Sequence, residues 1–175
     1  MNKGTKKGLV KLGPIGKRSN KTWDEKGRYK ITGIFISYED SHVNCLQFQY
    51  EDNCTNLVPE FGRHTGSKFS TVIFDYKFEY ITGLSGNYSP SEIKSMTIKT
   101  NRKKYGPFGS KEELNTKFNF EFGPSNRFGG FYGTYSTNGR ITSIGVYVKP
   151  GGSGLGLCPV VYNFSPSAPP MPRKL

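Results

Sequence analysis

Histidine is nearly absent from this chain, with His42 and His64 the only two in 175 residues. His42 lies in the polar stretch Asp40-Ser41-His42, and His64 in the Gly-flanked loop Arg63-His64-Thr65-Gly66. Neither has a local partner that marks a catalytic triad or a metal site, so both read as solvated loop residues. Cysteine is also sparse. Cys45, Cys54 and Cys158 are an odd number without metal-ligand spacing, which suits free thiols in a reducing compartment. No apolar run is long enough to span a membrane, and the opening MNKGTKKGLVKLGPIG lacks the apolar stretch of a secretory signal. These absences predict a cytoplasmic or nuclear protein.

Helical periodicity is missing as well. Ser110-Lys111-Glu112-Glu113 has the form of a capping box, but no apolar face follows it, so only a single turn is expected. Without a helix, no phosphate-binding Gly loop can open one. The acidic pairs Asp24-Glu25, Glu51-Asp52 and Glu112-Glu113 are adjacent in sequence. On strands the two members of each pair face opposite ways, unlike a general acid and base held across a substrate. The expectation is a non-catalytic protein with no metal and no cofactor.

What the chain does contain is 14% aromatic residues, 22 Gly and 11 Pro. Period-two alternation runs through it. Leu46, Phe48 and Tyr50 share one strand face, Met96 and Ile98 another, and Ile144, Val146 and Val148 a third. Phe118-Asn119-Phe120-Glu121-Phe122 alternates without a break. Turn signals such as Gly86-Asn87, Gly106-Pro107, Gly123-Pro124 and Asn138-Gly139 separate these runs. The fold class is therefore all-β, with roughly ten to twelve short strands.

Charge and composition change at the ends. The net charge is +12, and no acid precedes Asp24. Residues 1–11 read as a flexible basic arm, and 151–175 as a Gly/Pro-rich tail. Val160-Val161-Tyr162 offers one further edge strand. The Arg102-Lys103-Lys104 cluster with Tyr105 falls at a strand end and reads as a charged turn rather than a stacking platform. Nucleic acid is accordingly the weakest of the partner readings.

A repeat links the runs. Ile-Thr-small-aliphatic occurs as Ile31-Thr32-Gly33-Ile34, Ile81-Thr82-Gly83-Leu84 and Ile141-Thr142-Ser143-Ile144. Gly13-Pro14-Ile15-Gly16 is echoed by Gly106-Pro107-Phe108-Gly109, with Phe61-Gly62 at the matching place in the middle unit. Units of this size that recur pack against their copies, so three of them imply internal threefold symmetry.

Together with Trp23-Asp24, YITGLSG at 80–86, YGPFGS at 105–110 and GGFYGTY…ITSIGVYVKP, these segments resemble the jacalin-related lectins. The resemblance implies a lectin domain over residues 12–150 with the type I β-prism fold, in which three Greek-key four-stranded sheets surround a pseudo-threefold axis. It also implies a sugar site between the first Gly-rich loop and the loop before the last strand. Carried onto this chain, the site residues are Gly16 and Lys17 with Asn138, Gly139, Arg140, Ile141 and Thr142, and Asn87 and Tyr88 alongside. The chain runs unbroken through Gly16 into Lys17-Arg18, which matches the unprocessed cytosolic branch preferring mannose or glucose.

One departure bears on activity. Where the family's motif has Gly and Asp, this chain has Asn138 and Thr142. A neutral hydroxyl in place of a carboxylate costs roughly 1–3 kcal/mol of hydrogen bonding to a sugar. Two functions therefore stand side by side. One is a non-catalytic lectin for mannose-type glycans or glycoproteins, with the family's outlook toward plant defence. The other is a β-prism scaffold with a degenerate sugar site that binds proteins through the arm or tail, as in relatives that restrict virus movement. A homo-oligomer is compatible with either.

Overall fold

The computed structural model describes residues 8–51, 59–112 and 116–151. Its regular structure is twelve strands in three antiparallel four-stranded sheets. The first sheet holds β1 (Val10–Gly16), β2 (Lys21–Asp24), β11 (Arg127–Tyr135) and β12 (Ile141–Lys149), ordered β1-β12-β11-β2. The second holds β3 (Ile31–Tyr38), β4 (Val43–Tyr50), β5 (Phe61–Gly62) and β6 (Lys68–Ile73), ordered β5-β4-β3-β6. The third holds β7 (Ile81–Tyr88), β8 (Ile93–Thr100), β9 (Lys104–Gly109) and β10 (Thr116–Glu121), ordered β10-β7-β8-β9. No helix occurs among the described residues. Ser110 instead forms a tight turn, its hydroxyl accepting from the Glu112 N–H at 3.1 Å.

Each sheet is a central hairpin flanked by two strands, which is the Greek-key arrangement of a threefold β-prism. The register repeats with the topology. In the central hairpins a bulge falls between Ile31 and Gly33, between Ile81 and Gly83, and between Phe128 and Gly130. The alternation expected from the sequence supplies the core. Leu46, Met96 and Ile144 form one layer at about the axis, and Phe48, Ile98 and Val146 the next, all essentially inaccessible. Ile34, Leu84 and Phe131 complete it from the neighbouring strands. Burying each such side chain contributes about 1.5–3 kcal/mol. Aromatic stacking joins the sheets, with Trp23 of β2 4.9 Å from Phe61 of β5 and Phe48 of β4 5.0 Å from Phe131 of β11.

The symmetry is present, but the third Ile-Thr motif is not one of its copies. Ile31 and Ile81 open β3 and β7, the first strands of their hairpins. Ile141 opens β12, the second strand, whose counterparts begin with Val43 and Ile93. The third member of the β3/β7 series is Phe128-Gly129-Gly130-Phe131. Glycine is needed there because a Cβ on Gly130 (φ +121°) would run into the Glu25 carbonyl oxygen.

The Gly-Pro echo does obey the symmetry. Gly16, Gly62 and Gly109 pair with Ser143, Cys45 and Ser95 on β12, β4 and β8. All three have positive φ, at +90°, +105° and +104°. A Cβ on any of them would lie under 3.0 Å from a backbone carbonyl oxygen, that of Thr142, Asn44 or Lys94. Gly27 also has positive φ, +83°, but nothing stands within 4 Å of its Cβ position. Gly27→Ala should therefore cost about 1–2 kcal/mol from conformation alone. Gly109→Ala, which adds a backbone collision, should cost roughly 3 kcal/mol or more. Denaturant unfolding of the two variants checks this, and equal costs would contradict the collision.

Candidate functional site

β1 ends at the end of the prism where β11 turns into β12. Gly16 lets the chain pass directly over the first residues of β12, and the Lys17 N–H donates to the Thr142 carbonyl at 3.0 Å. The loop from Lys17 to Asn20 is thus laid against Thr142. The Thr142 side chain is buried, 5% exposed, with its hydroxyl 2.7 Å from that of Thr134. Thr134 Oγ1 is also 2.7 Å from Ser143 Oγ, accepts from the Ser19 N–H at 3.2 Å, and donates to the Lys17 carbonyl at 3.3 Å. One hydroxyl offers a single proton and two lone pairs, so three of these four contacts can be hydrogen bonds at once. Thr142 and Ser143 compete for the remaining lone pair. One of their two protons is free to turn elsewhere.

The opposing turn is held from inside and from both sides. The Ser136 N–H donates to the Arg140 carbonyl and the Gly139 N–H to the Ser136 carbonyl, both at 2.9 Å. The Arg140 N–H donates to Ser136 Oγ at 3.2 Å. Gly139, with φ +87°, is buried against Arg63 of the second sheet, whose N–H donates to the Gly139 carbonyl at 3.0 Å. The Arg140 guanidinium reaches Glu92 of the third sheet at 2.8 Å. The turn carrying Asn138 therefore sits across the axis with its shape imposed by all three sheets, while Asn138 itself is exposed.

Arg140, Glu92 and His42 are equivalent positions, each preceding the first buried aliphatic residue of β12, β8 and β4. They close this end of the prism around the axis. His42 is 7% exposed rather than solvated, and its Nδ1 lies 2.7 Å from Ser41 Oγ. Burial, then the positive charges of Arg140 and Lys94, hold its imidazole below the ordinary value, against the opposing pull of Glu92 and Glu39. Burial on its own raises the pKa of Glu92. Hydrogen bonds from Lys94 at 2.6 Å and from Arg140 outweigh it and hold the carboxyl below its ordinary range.

The structure brings together Gly16, Lys17, Asn138, Gly139, Arg140, Ile141 and Thr142 as one loop pair. Ile141 is wholly buried beneath it. Asn87 and Tyr88 lie at the same end but at the close of β7, and their interactions are within the third sheet. The Asn87 N–H donates to Ser95 Oγ at 3.1 Å, its side-chain amide to the Glu112 carbonyl at 3.4 Å, and Tyr88 packs edge-on to Phe118. Arg102 pairs with Asp75 at 3.2 Å and Lys103 lies over the Tyr105 ring, so that cluster is occupied locally.

Sequence reasoning did not pick out Thr134 or Ser143 for the site. It also did not foresee the cleft beside them. This cleft, of about 280 Å³, is lined by residues including Arg18, Ser19, Thr22, Asp24, Tyr132 and Thr134, with Trp23 at its side. Asp24 Oδ2 accepts from the Tyr147 hydroxyl at 2.7 Å, and burial together with that carboxylate pushes the phenol pKa up to about 12. The available signals were Arg18, which follows Gly16 and Lys17 in the first loop, and the Trp23-Asp24 pair, which entered the sequence argument as a family mark without a role.

A model of the Jacalin-like lectin domain matches residues 12–147. The chain belongs to the jacalin-related lectin family. Among relatives, it is 37% identical to Protein RESTRICTED TEV MOVEMENT 1 of Arabidopsis thaliana, over 81% of this chain and 87% of that protein. It is 36% identical to Jacalin-related lectin 2 of the same plant, over 82% and 88%. In structure it resembles a mannose-binding jacalin-related lectin from Ananas comosus, with TM-score 0.68 and 30% identity over 81% of this chain and 98% of that one. Malaysian banana lectin aligns with TM-score 0.70 and 27% identity over 82% and 99%. Membership in a lectin family, with lectins as relatives, supports carbohydrate binding as the function of this jacalin-related lectin. Families of this type are typically non-catalytic.

The charge cluster on the axis sets a pH dependence. His42 is depressed in the folded state, so unfolded chains take up protons first as pH falls below the ordinary 6.5. Stability gained above that value is lost on acidification. Glu92, also depressed, adds a further loss only below its ordinary 4.5. The melting temperature should fall from about pH 7.5 to about pH 5.5, and His42→Gln should flatten the fall in that window while the loss at lower pH remains. Calorimetry across pH checks it, and an unchanged slope in the variant counts against this role for His42.

Proposed function

We propose that the chain binds mannose- or glucose-type glycans reversibly and without catalysis, at the loop pair of residues 16–19 and 136–142 and the cleft beside it. The supporting observation is the cleft itself. It is smaller than a pocket for a drug-sized ligand, and its lining includes the hydroxyls of Ser19 and Thr22, the guanidinium of Arg18 and the carboxylate of Asp24 beside the Tyr132 ring, with the Thr134 hydroxyl already engaged beneath. That set of paired acceptors and donors beside an aromatic surface suits a polyol. Among the described residues, Asp24 supplies the one carboxylate that lines this cleft. A cytoplasmic or nuclear location and a part in plant defence accompany this reading, and the mannose-binding relative from Ananas comosus favours the sugar class.

Trp23 is the single tryptophan and lines the cleft, so its fluorescence reports occupancy. Methyl mannoside should change that emission saturably, and Thr142→Asp should raise affinity roughly 5- to 150-fold by restoring a charged acceptor worth about 1–3 kcal/mol. If neither the parent nor the variant responds to any sugar on a glycan array, the lectin reading fails.

A second reading rests on the buried Thr142 hydroxyl, which is turned to Thr134 rather than outward, and on the likeness to Protein RESTRICTED TEV MOVEMENT 1. Here the β-prism is a scaffold for protein partners engaged through residues 1–11 or 151–175. Both segments lie outside the described residues except for 8–11 and Gly151. Partner capture by the full chain should then persist in excess free mannose and drop at least about tenfold when either segment is deleted. Capture abolished by mannose assigns the interaction to the sugar site instead.

A further inference from the structure

Cys45 of β4 meets Glu60 and His64, four residues apart on either side of β5, in the second sheet. Cys45 lies on β4 opposite Gly62 of β5, Glu60 immediately precedes β5, and His64 follows it. His64 Nε2 is 2.9 Å from Glu60 Oε1 and 3.9 Å from Cys45 Sγ. All three donor atoms lie within 4.8 Å of one another. The Phe69 ring packs edge-on against the imidazole, centroids 5.9 Å apart. The thiol is at the buried floor, and the carboxylate and imidazole are on the solvent side.

We propose that Cys45, Glu60 and His64 form a binding site for a zinc-type divalent transition metal, with three protein ligands and one open position. A sulfur, a nitrogen and an oxygen donor are the mixture that zinc takes. Tetrahedral zinc bond lengths place a thiolate sulfur and an imidazole nitrogen about 3.5 Å apart. The 3.9 Å observed is within a small side-chain adjustment of that. Burial, and then the Glu60 carboxylate, push the Cys45 thiol up to about 12, so both disfavour a thiolate. A dication between the two inverts this: the sulfur gives up its proton to solvent on binding, and the carboxylate becomes a ligand.

This site is the counterpart, one sheet round, of the loop pair at Thr142, because Cys45 occupies the position of Ser143 and Ser95. It owes nothing to the sugar reading. The symmetry also supplies a variant that folds, since serine already occupies the two equivalent positions.

The test is titration of the untagged full chain with Co²⁺ under reducing conditions, with Cys54→Ser and Cys158→Ser in place so that Cys45 is the only thiol. One equivalent should give an intense near-ultraviolet thiolate-to-cobalt charge-transfer band with visible bands of a four-coordinate ion, all removed by Zn²⁺. Cys45→Ser should abolish the charge-transfer band. His64→Ala and Glu60→Gln should each weaken binding at least about tenfold, as loss of a ligand requires. Apparent affinity should rise with pH as the thiol proton becomes easier to displace. Absence of the band in the parent, its survival in Cys45→Ser, or indifference to His64→Ala would each overturn the site.

Discussion

Three backbone approaches hold this prism together at its working end. Where the outer strand of each sheet meets the second strand of the hairpin, a glycine lies so close to a carbonyl that no side chain fits between them. Gly16, Gly62 and Gly109 do this with positive φ. At two of these places the next residue's N–H donates to that same carbonyl, Lys17 to Thr142 and Ser110 to Lys94. At the third, Arg63 turns its N–H to Gly139 of the neighbouring sheet. The exception is informative. It ties the second sheet's loop to the turn that precedes Thr142, so the position of the candidate sugar site depends on a contact from outside its own sheet.

The backbone is threefold while the chemistry at equivalent positions is not. Arg140, Glu92 and His42 stand at one set of equivalent places and form a compensated cluster because they differ in charge; three like residues there would repel. Ser143, Ser95 and Cys45 occupy another set, and Thr142, Lys94 and Asn44 a third. Each sheet thus presents the same loop pair with different functional groups. Nearly identical frames thereby carry a cleft lined by hydroxyls and a carboxylate on one sheet and a thiol, imidazole and carboxylate on another.

Much of the frame was legible because it rests on local rules. Alternation at Leu46, Phe48 and Tyr50 marks a strand with one buried face whatever its neighbours are. The Gly-Pro echoes were legible for a related reason, since a forbidden Cβ leaves glycine at all three places. The Ile-Thr motif misled in its third copy because a hairpin's second strand can also begin with a buried aliphatic; the distinguishing mark was the third residue, Gly33, Gly83 and Gly130 in the true series but Ser143 in the false one. His42 looked solvated beside Asp40 and Ser41, but burial at the axis is decided by Glu92 and Arg140, which are distant in sequence. The same limit hid Thr134, whose hydroxyl serves loops from both ends of the domain, and the meeting of Cys45 with His64. Register across strands, not spacing along the chain, creates those sites.

The first sheet is assembled from the earliest and latest strands, with Val10 of β1 pairing with Val148 of β12 and Trp23 of β2 beside Gly133 of β11. The two later sheets are each built from consecutive strands. During synthesis β1 and β2 must therefore wait, unpaired, until almost the whole domain has emerged. For that interval Trp23 lacks its Gly133 neighbour, and two strand edges are open to stray pairing. Their composition suits the wait: Lys11, Lys17, Arg18 and Lys21 put charge along the exposed segment. The same basic residues that border and enter the candidate site's first loop thus keep those open edges charged while the ribosome completes the ring.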